Sequence, residues 1–136
     1  MCRFIRLHHT KFLDIPLIKR CASLGKPIIL STGIATLADI ERAVEACKSV
    51  GNNDIAILKC VSQYPAPYKD LNLRTIPHMA ETFDCITGLP DHSMGSAVDV
   101  CAVSIGAHII EKHMTLRRSD GGPDGAFSME PEEICC

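Results

Sequence analysis

Short apolar runs alternate with helical patterns along the whole chain, and this alternation restricts the possible folds more than any other feature. Five runs have the composition of buried strands, at 3–7, 27–30, 54–61, 85–89 and 108–112. Helical patterns separate them, at 16–24, from Thr36 to Gly51, at 73–83 and at 96–105. Uninterrupted alternation of this kind predicts an α/β domain with a parallel sheet and helices packed outside it.

Two architectures fit this pattern. One is a doubly wound domain of five strands. The other is part of a (β/α)8 barrel, which needs ~250 residues when complete, whereas this chain has 136. In both, ligands bind at the carboxyl ends of the strands. Polar residues close successive strands at Ser31, Ser62 and Asp91, about one βα unit apart.

Composition narrows the classes of partner. Hydrophobic residues make up 46% of the chain, with two Tyr, four Phe and no Trp, so the core is aliphatic. The net charge is −2 and no basic stripe is present, which argues against nucleic acid. No apolar stretch approaches the ~20 residues that span a bilayer. The start lacks a signal-peptide pattern, so we expect a cytoplasmic protein. Eight cysteines without any CxxC pair predict no disulfide framework.

Two histidines follow the last two strand runs, His92 in LPDHS and His113 in IEKHMT. Histidine is the commonest metal-ligand side chain, so the pair predicts a divalent-metal site at neighbouring strand ends. Alternation along a strand places Glu111 on the same face as His113 and Lys112 on the other. Asp124, in the glycine-rich GGPDG segment, is positioned to fold back over the strand ends. The alternatives are structural histidines and a solvated turn aspartate.

Three further polar residues are candidates for substrate binding. Ser31 begins a Ser-Thr-Gly sequence whose hydroxyl and backbone N–H groups suit a phosphate, although the same sequence also suits a helix cap. Ser62 and Tyr64 close the next strand, and Tyr64 is held before a proline. Tyr64 is either a substrate contact or a packing residue.

Six segments, in their order and spacing, resemble the sialic acid synthase family. They are KPIILSTG, LKCVSQYPAPY, NLRTIPHMAETF, GLPDHSMG, IEKHMT and GGPDGAFSMEPEE. The resemblance covers about residues 12–133, nearly the whole chain. It is strongest to the pseudaminic acid synthase branch, because of Lys59, the PAPY motif and GGPDGAFS. The N-acetylneuraminate branch more usually has His at the position of Lys59.

The resemblance implies a fold and a reaction. These enzymes are (β/α)8 barrels followed by an antifreeze-like domain, and they act as domain-swapped homodimers. They use a divalent metal (Mn²⁺, Mg²⁺ or Co²⁺) to condense phosphoenolpyruvate with an amino-sugar aldose and release phosphate. The implied aldose is a 2,4-diacetamido-2,4,6-trideoxy hexose of the altrose type, and the product is pseudaminic acid.

Site roles follow from the resemblance position by position. His92 and His113 match the metal ligands, Glu111 matches a proton-transfer carboxylate, and Asp124 matches a sugar-binding carboxylate. Tyr64 matches a substrate contact. Ser31 and Ser62 match positions around phosphoenolpyruvate, and Arg6 falls where the family has a phosphate-binding Lys.

Two departures from the family pattern temper these roles. Pro90 stands where the family usually has a Ser that contacts phosphoenolpyruvate, and proline lacks both a hydroxyl and an N–H. The chain also matches only barrel strands four to eight. We therefore expect residues 1–136 to form a single partial-barrel domain, without the N-terminal barrel half and the antifreeze-like domain, and with little synthase activity alone.

Three alternatives remain open at the level of the sequence. The chain is part of an N-acetylneuraminate or legionaminate synthase, or it is an inactive segment that only associates with a complete subunit. The third is a generic phosphate-binding domain of five strands, which requires the motif matches to be accidental.

Overall fold

Five parallel strands form one sheet in the computed structural model, which describes residues 3–134. They are β1 (Ile5–Leu7), β2 (Ile28–Ser31), β3 (Ile55–Leu58), β4 (Ile86–Asp91) and β5 (Ile109–Lys112). The spatial order is β1-β2-β3-β4-β5, and each pair of neighbours is parallel. A doubly wound sheet reverses its strand order at a switch point. The strictly sequential order therefore identifies the barrel type of winding.

Helices fill the connections between the strands as the sequence predicts. They are α1 (Ile15–Ala22), α2 (Leu37–Lys48), α3 (Thr75–Phe83) and α4 (Ala97–Ser104). The capping box of α2 is present: Thr36 Oγ1 accepts from the backbone N–H of Asp39, and Asp39 accepts from that of Thr36 at 2.9 Å. The third strand ends three residues earlier than predicted, although the Lys59 N–H still donates to the carbonyl of Gly88 on β4.

The sheet is strongly curled. In a flat sheet, β1 and β5 would lie about 19 Å apart, four inter-strand spacings. Instead Arg6 Nη2 on β1 lies 2.6 Å from Glu111 Oε2 on β5. The two side chains reach each other across the concave face, so the five strands form half of a barrel.

The convex face of the sheet carries the apolar core. Ile28, Leu30 and Ile57 are fully buried there in a cluster that includes Ile18 of α1 and Ala43 of α2. A second cluster centres on Leu89 of β4 and joins residues of α3 and α4, namely Ile76, Val98 and Ala102. Burial of these aliphatic side chains fixes the strands and leaves the concave face for other groups.

The segment after β5 is polar and rich in Gly and Pro, yet it contains ordered turns and a short helix. It forms two single 3₁₀ turns, at Arg118–Asp120 and Gly125–Phe127, and a short helix, α5 (Pro131–Ile134). A bridge between Met114 and Met129 ties the segment to the end of β5. Side-chain to backbone hydrogen bonds, which leave no periodic pattern in a sequence, stabilise it. Within residues 3–134, no helix combines the length and apolarity needed to cross a bilayer.

Candidate functional site

The two histidines meet on the concave face at the carboxyl end of the sheet. His92 directly follows β4 and His113 directly follows β5. Because β4 and β5 are adjacent parallel strands, their carboxyl ends lie side by side, and the two imidazole centroids are 5.1 Å apart. The register also pairs Pro90 with Glu111, which places Glu111 on the same concave face.

A cavity of about 370 Å³ opens at this end of the sheet. Its lining brings together five of the predicted site residues with His8; the whole set is Arg6, His8, Tyr64, His92, His113 and Asp124. An adjoining cavity of about 210 Å³ adds Glu111 and Lys112. Cationic, anionic and aromatic side chains therefore share one concave space.

His92 lies in an environment that keeps its ring neutral. It is 7% exposed. Burial, and then the neighbouring His113, lower the pKa of His92 to about 4. The Nδ1 atom of His92 is buried without a hydrogen-bond partner among residues 3–134, and Nε2 lies 3.9 Å from Cys60 Sγ. A neutral imidazole with an unpartnered nitrogen is the form that binds a metal ion.

The described residues supply only part of a coordination shell. No group of three or more His, Cys, Asp or Glu side chains within residues 3–134 is arranged to hold a metal ion. The histidine pair suits a divalent ion whose other positions are filled by water or substrate, as catalytic metal sites require. Asp124 stands close to this pair, with Oδ2 3.7 Å from Nδ1 of His113.

Aromatic rings surround the two imidazoles. The Tyr64 centroid lies 4.1 Å from that of His92 and 6.0 Å from that of His113. Phe127 lies 5.2 Å from His113 and 5.6 Å from Tyr64. Tyr64 remains 42% exposed, and the bond to the following Pro65 is cis. The exposed face of Tyr64 is available to a ligand in the cavity.

Arg6 and Glu111 form an ion pair across the cavity floor. Their side chains are 31% and 33% exposed, so solvent reaches both. Neither side chain is buried in the apolar core. An anionic ligand entering the cavity therefore meets Arg6 directly, and it competes with Glu111 for the guanidinium.

The two serines lie elsewhere. Ser31 is fully buried at the end of β2, and its hydroxyl has no hydrogen-bond partner within the described range 3–134. Ser62 is exposed in the segment after β3. Neither is among the described residues that line the two cavities. Their predicted contact with phosphoenolpyruvate stays a prediction.

Sequence reasoning missed several members of this region. Asp91 closes its strand directly before His92, but alternation turns its side chain to the convex face, where it binds Lys112. The same alternation was applied correctly to Lys112 and could have located Asp91. Phe127 had no usable signal, because it lies outside any periodic segment. His8 directly follows β1, two residues after Arg6, so the same alternation could have located it.

Comparison with known proteins agrees with this fold and shows the family. The NeuB family profile matches residues 1–135. The pseudaminic acid synthase of Helicobacter pylori is 42% identical over 129 residues, 95% of this chain and 38% of that protein. The N,N'-diacetyllegionaminic acid synthase of Campylobacter jejuni is 37% identical over 134 residues, 97% of this chain and 40% of that protein.

Among solved structures, the spore coat polysaccharide biosynthesis protein spsE of Bacillus subtilis superposes with a TM-score of 0.94 at 36% identity. The superposition covers 96% of this chain and 37% of that protein. The chain belongs to the NeuB family of sialic acid synthases, and it spans about two fifths of the length of the curated relatives described here.

Proposed function

We propose that this chain carries the metal- and sugar-binding part of a nonulosonic acid synthase, and that the acid formed is pseudaminic acid. The supporting observation is the pairing of His92 and His113 on adjacent strand ends, 5.1 Å apart, in a chain of the NeuB family. In the reaction, C3 of phosphoenolpyruvate bonds to the aldehyde carbon of a 2,4-diacetamido-2,4,6-trideoxy hexose. Water adds at C2, and inorganic phosphate leaves.

His92 and His113 are the proposed ligands of Mn²⁺, Mg²⁺ or Co²⁺. The neutral state of His92 and its unpartnered Nδ1 support this assignment. When bound, such an ion supplies Lewis-acid polarisation of the aldehyde oxygen. The histidines hold it at the carboxyl end of the strands, and Asp124 orients the ring of His113 from 3.7 Å.

Arg6 and Glu111 are proposed to exchange partners when phosphoenolpyruvate arrives. In the free chain the guanidinium binds the Glu111 carboxylate. A phosphate or carboxylate group of the ligand offers Arg6 the same bidentate geometry. Glu111, released from Arg6, then faces the cavity and exchanges a proton with the sugar during carbon–carbon bond formation.

The sugar is proposed to lie against Tyr64 and Asp124. Tyr64 presents an exposed ring face beside His92, which suits the methyl and acetyl groups of a deoxy amino sugar. The Asp124 side chain is 53% exposed and accepts hydrogen bonds from hydroxyl or amide groups. Ser31 and Ser62 are retained as proposed contacts of phosphoenolpyruvate, and Pro90 supplies no side-chain contact in place of the usual serine.

A legionaminate or N-acetylneuraminate synthase is the alternative within the same chemistry. The identities of 42% and 37% to the pseudaminic and legionaminic relatives are too similar to decide. The proposal favours pseudaminic acid because of Lys59, the PAPY motif and the GGPDGAFS segment. A segment that only associates with a complete subunit is a second alternative, favoured by Pro90 and by the unpaired outer edges of β1 and β5.

A chimera tests the proposal. Residues 3–134 replace the matching segment of the Helicobacter pylori synthase, and phosphate release is measured with phosphoenolpyruvate, Mn²⁺ and one of three aldoses. We expect the altrose-type diacetamido sugar to react at least tenfold faster than the sugars that lead to legionaminate or N-acetylneuraminate. We expect His92→Gln to remove the activity.

The control is the parental synthase, prepared and assayed in parallel. A folded chimera that is inactive while the parent turns over would contradict the proposal, and preference for another aldose would establish the alternative. The isolated chain is expected to show little turnover. Turnover near that of the parent would contradict the assignment of this chain as only part of a synthase site.

A further inference from the structure

Three charged side chains form a buried cluster on the convex side of β4 and β5, directly behind the histidines. Lys112 Nζ binds Asp91 Oδ2 and lies 3.3 Å from Asp99 Oδ2. The exposed fractions of the Lys112, Asp91 and Asp99 side chains are 11%, 0% and 17%. These are the values of an interior network, so its charges interact strongly and are costly to leave unpaired.

The same lysine also binds the backbone beyond β4. Its Nζ donates to the carbonyl of Ser93 at 3.1 Å and to that of Gly95 at 2.5 Å. Asp91 in turn accepts from the Ser93 backbone N–H at 2.8 Å and from the Ser93 hydroxyl at 2.9 Å. The chain that leaves β4 is therefore held at several points by one residue of β5.

Two members of the cluster directly precede the two histidines in the sequence. Asp91 immediately precedes His92, Lys112 immediately precedes His113, and Asp91 and Lys112 are register partners across the two strands. Because side chains alternate, the ion pair points to the convex face while the histidines point into the cavity. Any shift of the strand ends that separated Asp91 from Lys112 would also separate the imidazoles.

Burying a network of charges costs desolvation free energy, which offsets much of the stabilisation that its ion pairs give. Burial, and then the charge of Asp91, raise the pKa of Asp99 to about 6, and no residue in the described part of the chain hydrogen-bonds to the Oδ1 atom of Asp99. Burial acts to raise the pKa of Asp91, but hydrogen bonds from Lys112 and Ser93 outweigh it and hold the pKa low. Packed apolar side chains often stabilise a core as well as or better than buried ion pairs do.

We infer that Lys112 is a positioning residue, which clamps Asp91 and the carbonyls of Ser93 and Gly95 and so sets the spacing of His92 and His113. This inference rests on the proposed function, because the spacing matters for binding a shared metal ion. Partners that orient metal ligands from behind typically change metal affinity by 10–100-fold when they are removed.

The test compares four variants of the full chain with the wild type. Lys112→Met removes the charge and keeps most of the stem, and Lys112→Arg keeps the charge. Ser93→Ala loosens the clamp mildly. Asn52→Ala is the matched control, because Asn52 is buried and hydrogen-bonded to the carbonyls of Ala22 and Lys26, at the amino end of the sheet.

Two readouts are used, Mn²⁺ affinity by calorimetry and the ring ¹⁵N signals of the histidines in the metal-free chain. We expect Lys112→Met to weaken Mn²⁺ binding at least tenfold and to shift the ring signals of both His92 and His113. Lys112→Arg should lose less affinity than Lys112→Met. Asn52→Ala should lower the melting temperature while it changes affinity less than twofold.

Wild-type affinity and unchanged ring signals in a folded Lys112→Met chain would overturn the inference. If Lys112→Met does not fold, Ser93→Ala decides: a loss of about threefold or more supports the clamp, and unchanged affinity and ring signals contradict it. If the wild type binds no Mn²⁺, the proposed function fails. The ring signals of the Lys112 and Ser93 variants still establish or overturn the positioning role.

Discussion

The two ends of the concave face differ sharply, although the same strands build both. At the amino end, a trough of about 650 Å³ is lined mainly by apolar residues such as Phe4, Ile86 and Ile109, together with Arg3, Asn53, Asp54 and Asp84. At the carboxyl end, the cavity of about 370 Å³ contains Arg6, His92, His113 and Asp124, and no aliphatic side chain is among the described residues that line it. Composition alone would not have separated these two regions.

The change from apolar to charged and polar side chains occurs along individual strands. Along β5 and the next residue, the concave positions pass from Ile109 to Glu111 to His113. Around β1 they pass from Phe4 to Arg6 to His8. Each step of two residues moves one layer along the barrel axis. Three successive layers therefore lead from an apolar interior to a ligand site. Binding chemistry is thus confined to the carboxyl end, as in other barrels.

The apolar end has a different significance. Ile86 is 54% exposed and Phe4 is 47% exposed, within one contiguous trough. Exposed apolar patches of this kind mark contact surfaces in soluble proteins. Substitutions at the two ends should therefore affect different properties of the chain: contact with other surfaces at the amino end, and ligand binding at the carboxyl end.

The largest effect is expected when a substitution at the carboxyl end is compared with one at the amino end. His92→Ala should reduce Mn²⁺ affinity at least 100-fold, because one of two protein ligands is lost. Ile86→Ser, in the trough, should leave the affinity within twofold and reduce binding of a dye that reports exposed apolar surface. Calorimetry and dye fluorescence measure the two properties. A loss of Mn²⁺ affinity in Ile86→Ser would show that the ends are not independent.

The second prediction concerns Gly88, which lies on β4 between the two ends. A Cβ atom added to Gly88 would lie 2.2 Å from the carbonyl oxygen of Ile109 and 2.8 Å from Leu58 Cδ2. Gly88→Ala should therefore lower the free energy of unfolding by about 3 kcal/mol, as severe overpacking does. Urea denaturation measures the change.

Gly125→Ala is the matched control for Gly88. Gly125 is also buried, but its nearest neighbour to an added Cβ is 3.9 Å away, an ordinary contact. We expect less than about 1 kcal/mol there. Equal effects at the two glycines would contradict the close approach of β4 and β5.

The third prediction is a pH dependence of stability that originates at the carboxyl end. The pKa of His92 is lowered to about 4 in the folded chain, from the ordinary histidine value of 6.5. Between these values the unfolded state binds more protons, so the free energy of unfolding falls as pH falls from 6.5 towards 4. The slope contributed by His92 should approach about 1.4 kcal/mol per pH unit.

His92→Gln isolates this contribution. Asp99 acts in the opposite direction, since its raised pKa stabilises the folded chain as pH falls below about 6. Subtracting the variant's stability from that of the wild type cancels the Asp99 term. A difference that does not change between pH 4 and 6.5 would mean that His92 titrates normally.

The smallest effect is expected from the ion pair that crosses the concave face. Both side chains of the Arg6–Glu111 pair are about one-third exposed, and exposed pairs contribute about 0–1 kcal/mol. Glu111→Gln should therefore change the free energy of unfolding by less than about 1 kcal/mol. In the chimeric synthase the same substitution should lower turnover strongly. A large loss of stability with unchanged turnover would make Glu111 structural.

The sequence predicted the order of elements and the positions of the strand ends. Period-two alternation located Glu111 and His113 on one face, and the βα spacing placed His92 and His113 at neighbouring strand ends. These are local properties. The resemblance to a known family added roles for Arg6, Asp124 and Tyr64, and the structure brings these residues together with the histidines.

Features that depend on curvature and register were beyond the sequence. The Arg6–Glu111 contact exists only because the sheet curls, and no local pattern sets the degree of curling. Lys112 binds Asp91 because β4 and β5 pair in this register. It meets Asp99 because α4 packs against these strands. The turns after β5 form through hydrogen bonds such as that from the Ser128 hydroxyl to the carbonyl of Asp124.

The central claim is that His92 and His113 bind one metal ion together. Pulsed electron paramagnetic resonance of the Mn²⁺-loaded chain, labelled with ¹⁵N-histidine, counts the imidazole nitrogens bound to the ion. The account predicts two coupled nitrogens in the wild type and no more than one in His92→Ala or His113→Ala. Bound Mn²⁺ without any coupled imidazole, or a signal unchanged by both substitutions, would contradict it.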